Sequence, residues 1–295
     1  MLKGTVGIIG GNGWIGRSIG RSMLKSGFID PASLVLSSRS GLADGYSEWP
    51  DIRSTSDNGE LAERADVIIL AVRPDQFANV RIDALGKLVV SVMAGIPVAG
   101  LQVRTGSKRI VRAMPNAAAE IDRSYTPWFA APAVTAADKS LIQGLLATFG
   151  LGDELPCEAH IDYLTGLTGS GPAFPALLAS ALLSHAVGRG LPLHVARRSV
   201  TAVVAGASQL ITADGETPGA IVRRFMDYRG TTAAGLQAMM DHGLQDAVHA
   251  GLSAAEAAAH QMAQLREVSA DGEFVDGAVP STGYAAAHRA ERENT

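Results

Sequence analysis

The fold is decided by the stretch Val6-Gly7-Ile8-Ile9-Gly10-Gly11-Asn12-Gly13-Trp14-Ile15-Gly16. A short apolar run is followed at once by a G-x-G-x-x-G pattern, and residues 15–26 then show helical periodicity up to Gly27. In such a strand–turn–helix unit, the first glycine allows a tight turn, the second lets the backbone approach a pyrophosphate, and the third lets helix and strand pack closely. The stretch therefore predicts the first unit of a dinucleotide-binding domain. The alternative is a structural turn in an α/β protein that binds no nucleotide.

The first half of the chain alternates short apolar runs with helical stretches. These runs lie at residues 6–9, 34–36, 67–72, 88–92 and 110–111. They lack the polar alternation of a half-exposed strand, which is typical of strands covered by helices on both faces of a parallel sheet. The pattern predicts an α/β fold, with an N-terminal doubly wound Rossmann-type sheet over residues 1–156.

The second half is predicted to be a separate, all-helical domain over residues 157–268. Its alanine-rich helical stretches lie at residues 173–187, 194–211, 232–240 and 253–268, with Pro192 and Pro218 where helices should begin. Because the region around residues 173–211 has more apolar surface than a small domain buries alone, we expect a homodimer. Residues 269–295 show little periodicity and are predicted to be a flexible tail.

Composition excludes several classes of partner. Lys and Arg number 25 against 29 Asp and Glu, without a basic run, so we expect no nucleic-acid partner. The single cysteine, Cys157, cannot form an internal disulfide, which favours a cytoplasmic location and a structural role for it. The longest uncharged stretch, residues 163–188, contains prolines, threonines and serines, so we interpret it as a buried or interface helix and expect no membrane span. We expect no bound metal, because His242, His249 and His260 are widely spaced and have no cysteine nearby.

The end of the second predicted strand indicates the kind of dinucleotide. An enzyme that binds NAD needs Asp or Glu there for the ribose hydroxyls, whereas this chain has Ser37-Ser38-Arg39-Ser40. An arginine flanked by hydroxyls favours a 2′-phosphate, and therefore NADPH, with a solvated loop arginine as the alternative.

Several segments resemble, in the same order, motifs of the pyrroline-5-carboxylate reductase family. Residues 65–74 read ADVIILAVRP, similar to ADVVILAVKP, and residues 89–96 read VVSVMAGI, similar to VVSIxAGI. Residues 111–116 read VRAMPN, which matches VRxMPN, and residues 162–174 read DYLTGLTGSGPAF, similar to DxxTALSGSGPAY. The resemblance covers residues 4–265 and implies that NADPH reduces the C=N bond of a cyclic imino acid, pyrroline-5-carboxylate, to give proline.

The resemblance also implies roles for particular residues. The NADPH site is expected to be lined by Gly11, Asn12, Gly13, Trp14, Ile15, Gly16, Ser37, Arg39, Asn58, Ala71, Val72, Arg73, Pro74 and Asn116. The substrate is expected to contact Thr168, Ser170, Gly171, Pro172, Arg229, Gly230 and Thr231. Thr232 is the predicted catalytic residue, hydrogen-bonded to the ring nitrogen.

Gly230-Thr231-Thr232 also has a physical argument of its own. A helix that begins here, with a hydroxyl cap and free N–H groups, could bind a carboxylate; the alternative is an ordinary helix cap without a ligand. Arg229 replaces a glycine of the family's SPGGTT, and either grips a second acid group or points into solvent. Ala117 replaces the threonine of MPNTP, and Gly10 and Trp14 make the glycine loop atypical.

Other functions remain as alternatives. A reductase for a different cyclic imine, or for a deazaflavin or another carrier, would share the same scaffold, and an NADPH-binding protein without turnover would tolerate the changes at Arg229 and Ala117. A β-hydroxyacid dehydrogenase is disfavoured, because no lysine follows Lys139 to serve as its catalytic lysine. All the histidines lie at or after His160, so a histidine acid–base remains conceivable.

Overall fold

Short strands and the helices between them make up the first half of the protein. The computed structural model describes residues 2–213 and 215–264, so the predicted tail at 269–295 lies outside the described residues. The strands are β1 Val6–Ile9, β2 Leu34–Ser37, β3 Arg53–Thr55, β4 Val67–Leu70, β5 Leu88–Ser91, β6 Arg109–Ala113, β7 Ser124–Tyr125, β8 Trp128–Ala130 and β9 Gly150–Leu151. The helices are α1 Trp14–Lys25, α2 Asn58–Arg64, α3 Val98–Thr105 and α4 Ala136–Leu146, with 3-10 turns at Pro31–Ser33, Pro74–Asn79 and Ala117–Ile121.

A seven-stranded sheet in the order β3-β2-β1-β4-β5-β6-β8 forms the core of this half. Neighbouring strands are parallel, except that β8 runs antiparallel to β6. The strands β1, β2, β4 and β5 are buried along their whole length, as expected of strands with helices on both faces of the sheet. The strand order reverses between β1 and β4, and in open α/β sheets ligands bind at the carboxyl ends of the strands beside such a point.

The remainder of the described chain is helical apart from its connecting turns. Its helices are α5 His160–Leu164, α6 Ala173–Gly188, α7 Leu193–Thr201, α8 Leu210–Ala213, α9 Pro218–Asp227, α10 Thr231–Asp241 and α11 Leu244–Gln264, with π turns at Thr165–Gly169 and Ala202–Gly206. Pro192 is the N-cap of α7 and Pro218 begins α9, as predicted. The predicted fold class, a Rossmann-type sheet followed by an all-helical region, is confirmed for the described residues.

Several predicted boundaries were wrong. The strand β3 was missed because its Arg, Ser and Thr residues lie at the sheet edge without an apolar run. The helix predicted over residues 194–211 is interrupted by the second π turn and a 3-10 turn at Ala207–Gln209. The helix predicted to begin at residue 253 begins at Leu244, and its predicted end at residue 268 lies outside the described residues.

Candidate functional site

The glycine-rich loop turns the chain from β1 into α1. Gly10 has a φ of 86°, in the left-handed region that favours glycine, and the N–H groups of Gly10 and Gly11 donate to Ser37 O at 3.0 and 3.1 Å. Gly13 is the N-cap of α1, and the N–H of Arg17 donates to its carbonyl at 2.8 Å. The N–H groups of the first turn therefore point out of the helix end, where the helix dipole favours an anion. These groups belong to Trp14, Ile15 and Gly16.

The chain packs too closely around this loop for larger residues. A Cβ added at Gly16 would lie 2.4 Å from Gly10 O and 3.2 Å from Ala71 Cβ. The N–H of Ala71 donates to Ile9 O at 2.9 Å, which holds the turn after β4 beside the loop. That turn continues through Val72, Arg73 and Pro74, and Arg73 pairs with Asp75 at 3.2 Å. The glycine-rich loop after β1 and the predicted cofactor residues 71–74 after β4 are therefore adjacent.

The carboxyl end of β2 carries hydroxyls and an arginine. The buried Ser37 hydroxyl donates to Asn58 Oδ1 at the start of α2, so these two predicted residues are in contact. Arg39 is exposed in the following turn and takes part in none of the ion pairs that the described residues form. Its guanidinium is thus available to an anionic group such as a 2′-phosphate.

Tyr46 supports the loop from behind and was not predicted. Its buried hydroxyl lies 3.2 Å from Gly11 O and 3.4 Å from Gly16 O, and burial raises the pKa of Tyr46 above its usual value. Asn12 Nδ2 donates to Leu42 O at 2.8 Å. Leu42 and Tyr46 both lie in the segment between β2 and β3, so this segment contacts the glycine-rich loop at two places. These contacts join residues about 30 positions apart without a recognisable motif, so the sequence alone did not reveal them.

Asn116 connects the sheet to the helical region. It follows β6 and caps the 3-10 turn Ala117–Ile121, where its Oδ1 accepts the N–H of Ala118 at 3.0 Å. Its Nδ2 donates to Thr168 O at 2.9 Å, and the Thr168 hydroxyl donates to Leu164 O at 2.8 Å. Asn116, which is predicted to line the NADPH site, therefore contacts the first residue of the predicted substrate segment.

That substrate segment continues from a π turn. The N–H of Ser170 donates to Thr165 O at 3.0 Å, five residues back, which is the hydrogen bond of a π turn. A Cβ added at Gly171 would lie 2.6 Å from Leu167 O, so the turn is too tight for a side chain there. Pro172 is the N-cap of α6. Single π turns are frequent at functional sites, and no pattern of residues indicated this one.

Among the residues that the structure describes, the predicted substrate loop at residues 229–232 forms no hydrogen bond or ion pair with Asn116 or the π turn. Arg229, Gly230, Thr231 and Thr232 are exposed, and α10 packs mainly against α9 and α11. The expectation of a hydroxyl cap was wrong: Gly230 is the N-cap, and α10 has no side-chain cap hydrogen bond. Arg229 has a φ of 48°, a left-handed conformation that its side chain disfavours and that glycine adopts freely.

The helical region exposes much of its apolar surface. In the described chain no residue of α6 or α10 is buried, and Leu177 is 73% exposed. The continuous helix His160–Gly188 is long and apolar enough to cross a membrane, as judged by length and composition alone. An apolar surface of this size in water requires a cover.

The fold and this site define a class of protein. A glycine loop at a helix N-terminus, an arginine after the second strand and a helical region joined at Asn116 are the features of a Rossmann-type oxidoreductase that uses a nicotinamide dinucleotide. A family model described as NADP oxidoreductase coenzyme F420-dependent matches residues 5–95, and one described as pyrroline-5-carboxylate reductase dimerisation matches residues 158–262.

Known proteins identify the family. The chain is 33% identical to the pyrroline-5-carboxylate reductase of Vibrio alginolyticus over 221 residues, which cover 72% of this chain and 81% of the relative. It is 29% identical over 274 residues to pyrroline-5-carboxylate reductase 2 of Bacillus subtilis (strain 168), covering 89% and 95% of the two chains. The solved structure of the Coxiella burnetii enzyme superposes with a TM-score of 0.80 at 28% identity, covering 88% and 99%. The chain belongs to the pyrroline-5-carboxylate reductase family, which confirms the resemblance seen in its motifs.

Proposed function

We propose that the protein reduces pyrroline-5-carboxylate to proline with NADPH. The observation that carries this proposal is the hydrogen bond from Asn116 to Thr168, because it places the edge of the sheet with the glycine loop and Arg39 beside the π turn of the helical region. A cofactor and a small substrate bound at these two places would meet at the junction between them.

The residues present fit NADPH. The helix end at Gly13 offers N–H groups to a pyrophosphate, the glycines leave room for its approach, and Arg39 offers a cation to the 2′-phosphate. We assign Asn58 and Ala71–Pro74 to the walls of the same site. When bound, NADPH supplies a hydride from its nicotinamide ring. A family model that describes a coenzyme F420-dependent oxidoreductase matches only the nucleotide-binding half, so it does not distinguish a deazaflavin from an imine as the second substrate.

The protein has little covalent chemistry to perform on an imine. A protonated cyclic imine is already electrophilic, so the residues mainly position it and exclude water. We assign Thr168, Ser170, Gly171 and Pro172 to the substrate pocket, the N–H groups near Thr231 to the substrate carboxylate, and the Thr232 hydroxyl to the ring nitrogen. NADPH would supply the hydride to the imine carbon, the C=N π electrons would become the nitrogen lone pair, and the proton already on nitrogen would remain there as the N–H of the product.

The substrate loop is supplied by a second copy of the chain in this proposal. Residues 229–232 are exposed and form no described hydrogen bond to the π turn of their own chain, while the surrounding helices expose their apolar faces. A homodimer that covers these faces would carry the loop of one subunit to the π turn of its partner. The match of residues 158–262 to a dimerisation model supports this arrangement.

The division into domains is also part of the proposal. We place the cofactor domain at residues 1–156 and the substrate and dimerisation domain at 157–268, because β9, the last strand in the described part of the chain, precedes this boundary and α5 follows it. A cytoplasmic location remains our expectation, supported by the chemistry of a soluble imino acid and by the single cysteine, Cys157.

The test is NADPH oxidation by the purified protein with pyrroline-5-carboxylate, run beside pyrroline-2-carboxylate and six-membered cyclic imino acids. Turnover that is fastest on pyrroline-5-carboxylate supports the proposal. Faster turnover on another ring would replace the substrate and would indicate that Arg229 has redirected the pocket. NADPH binding without turnover on any imine would refute the proposal in favour of a non-catalytic NADPH-binding protein.

A further inference from the structure

Arg112 joins the sheet to the helical region through a pair of carboxylates. It lies in β6, and only 4% of its side chain is exposed. Its Nη1 lies 2.6 Å from Glu158 Oε1, and its Nη2 lies 3.2 Å from Asp162 Oδ1. Both carboxylates lie where the helical region begins, so the guanidinium bridges the two halves of the chain. A planar fork suits this geometry, because it can face two acceptors at once.

The same carboxylates also contact other elements. Glu158 Oε1 accepts the N–H of Val98 at the start of α3, at 2.8 Å. Asp162 Oδ2 lies 3.7 Å from Nδ1 of His260 in α11. Arg112 is therefore at the centre of a junction that includes β6, α3, α5 and α11. When one partner of a buried ionic network of this kind is removed, the remaining buried charges are left unpaired, which is unfavourable.

This junction lies six residues, less than two helical turns, before the proposed substrate segment. Asp162 and Thr168 belong to the same helical segment, and the sheet holds them through Arg112 and through Asn116 respectively. We propose that Arg112 is a positioning residue, which together with Asn116 fixes the π turn at the cofactor edge of the sheet. This inference rests on the proposed function, since that function assigns the π turn to the substrate. Arg112 acts through Glu158 and Asp162 and does not itself contact the substrate.

Arg112→Lys is the first variant, because lysine keeps the positive charge and lacks the planar guanidinium that faces both carboxylates. We expect kcat on pyrroline-5-carboxylate to fall by about tenfold to a hundredfold, as misplacement by an ångström does at other active sites. The Kd of NADPH should change by less than about twofold, since the glycine loop is untouched. Amide hydrogen exchange over residues 158–172 should be faster than in the wild type. Asp162→Asn leaves the Glu158 pair in place, and should change kcat and exchange in the same direction if Arg112→Lys fails to fold.

Arg109→Lys is the matched control. Arg109 lies in the same strand, and its Nε donates to Asp138 Oδ2 of α4 at 3.0 Å, within the cofactor half. This variant loses a comparable fork, so it should lower the melting temperature while kcat stays within about twofold of the wild type. A kcat in Arg112→Lys as high as in Arg109→Lys would overturn the proposal, and so would unchanged exchange over residues 158–172. If the wild type reduces no imine, the proposed function fails, and the exchange measurement alone decides whether Arg112 fixes the π turn.

Discussion

Replacing Gly16 by alanine tests whether the glycine loop binds a pyrophosphate. The added Cβ would lie 2.4 Å from Gly10 O, whereas real Cβ atoms keep at least about 3.0 Å from such an oxygen. Neither Gly10 O nor Ala71 Cβ leaves room for the new atom. Gly10 O is held in place because it accepts the N–H of Gly13 at 2.9 Å, and Ala71 Cβ would lie 3.2 Å from the added Cβ. The start of α1 must therefore move by roughly half an ångström or more.

The displacement affects both folding and binding. Overpacking of this kind costs about 1–3 kcal/mol of the free energy of unfolding. The N–H groups at the start of α1 also lose their alignment with the pyrophosphate, and a hydrogen bond to a charged group contributes about 1.5–3 kcal/mol. The loss of one such bond raises the Kd of NADPH by about 10- to 100-fold. Titration of NADPH fluorescence at a temperature where the variant is folded measures that change.

Gly27→Ala is the matched control for this experiment. Gly27 has a φ of 67° and no atom within 4 Å of an added Cβ, so alanine strains the backbone without touching the loop. It should cost about 1 kcal/mol of stability and leave the Kd of NADPH unchanged. If Gly16→Ala binds NADPH as tightly as Gly27→Ala does, the loop is a structural turn and the assignment of the cofactor site is wrong.

Four further predictions concern the cofactor, the substrate loop and acid stability. Arg39→Gln should raise the KM for NADPH about tenfold and leave the KM for NADH unchanged, because only NADPH carries the 2′-phosphate; equal effects on both would remove Arg39 from cofactor selection. Thr232→Val should lower kcat/KM on pyrroline-5-carboxylate about tenfold with the Kd of NADPH unchanged, and wild-type kinetics would remove Thr232 from the mechanism. Arg229→Gly should raise the free energy of unfolding by about 1 kcal/mol, as measured by urea denaturation, because it removes a left-handed arginine at a φ of 48°. A destabilised variant would instead show that Arg229 makes a stabilising contact. A raised KM for pyrroline-5-carboxylate would show that Arg229 binds a second acid group, and an unchanged KM would show that it only faces solvent. Burial raises the pKa of Asp138, but hydrogen bonds from Arg109 and from the capping threonine outweigh burial and hold the pKa below its usual value. The Asp138–Arg109 pair therefore stabilises the protein above the unfolded pKa of about 4, and this stabilisation is lost as the pH falls below that value. In Asp138→Asn the melting temperature should fall less between about pH 5 and pH 3 than it does in the wild type.

The sequence predicted those parts of the sheet whose signal is local. Strands β1, β2, β4 and β5 are covered on both faces, so each reads as an apolar run, and the glycine pattern marks the turn after β1. The edge strand β3 has no such run. Its Arg, Ser and Thr residues are paired by the backbone alone with β2, and pairing of that kind leaves no mark in the pattern of side chains.

Contacts between distant residues were the other part that the sequence did not reveal. Tyr46 contacts the loop across 35 positions, and Arg112 contacts Asp162 across 50. Arg112 lies within the quoted VRAMPN motif, yet nothing in the motif shows that its side chain turns toward the helical region. The loop at Arg229 differs again, because motif similarity assigned it to the substrate while the folded chain leaves it exposed. In the proposed homodimer, the partner subunit would supply what a single chain does not show.

The apolar face of α6 is exposed in the single chain, and the contacts that hold the helix to the sheet bear on what surface covers that face. The continuous helix His160–Gly188 meets the length required of a membrane span, but its first ten residues are held to the sheet by Arg112 and Asn116 and pack against α11. The match of this region to a dimerisation model supports a second copy of the chain as the surface that covers α6.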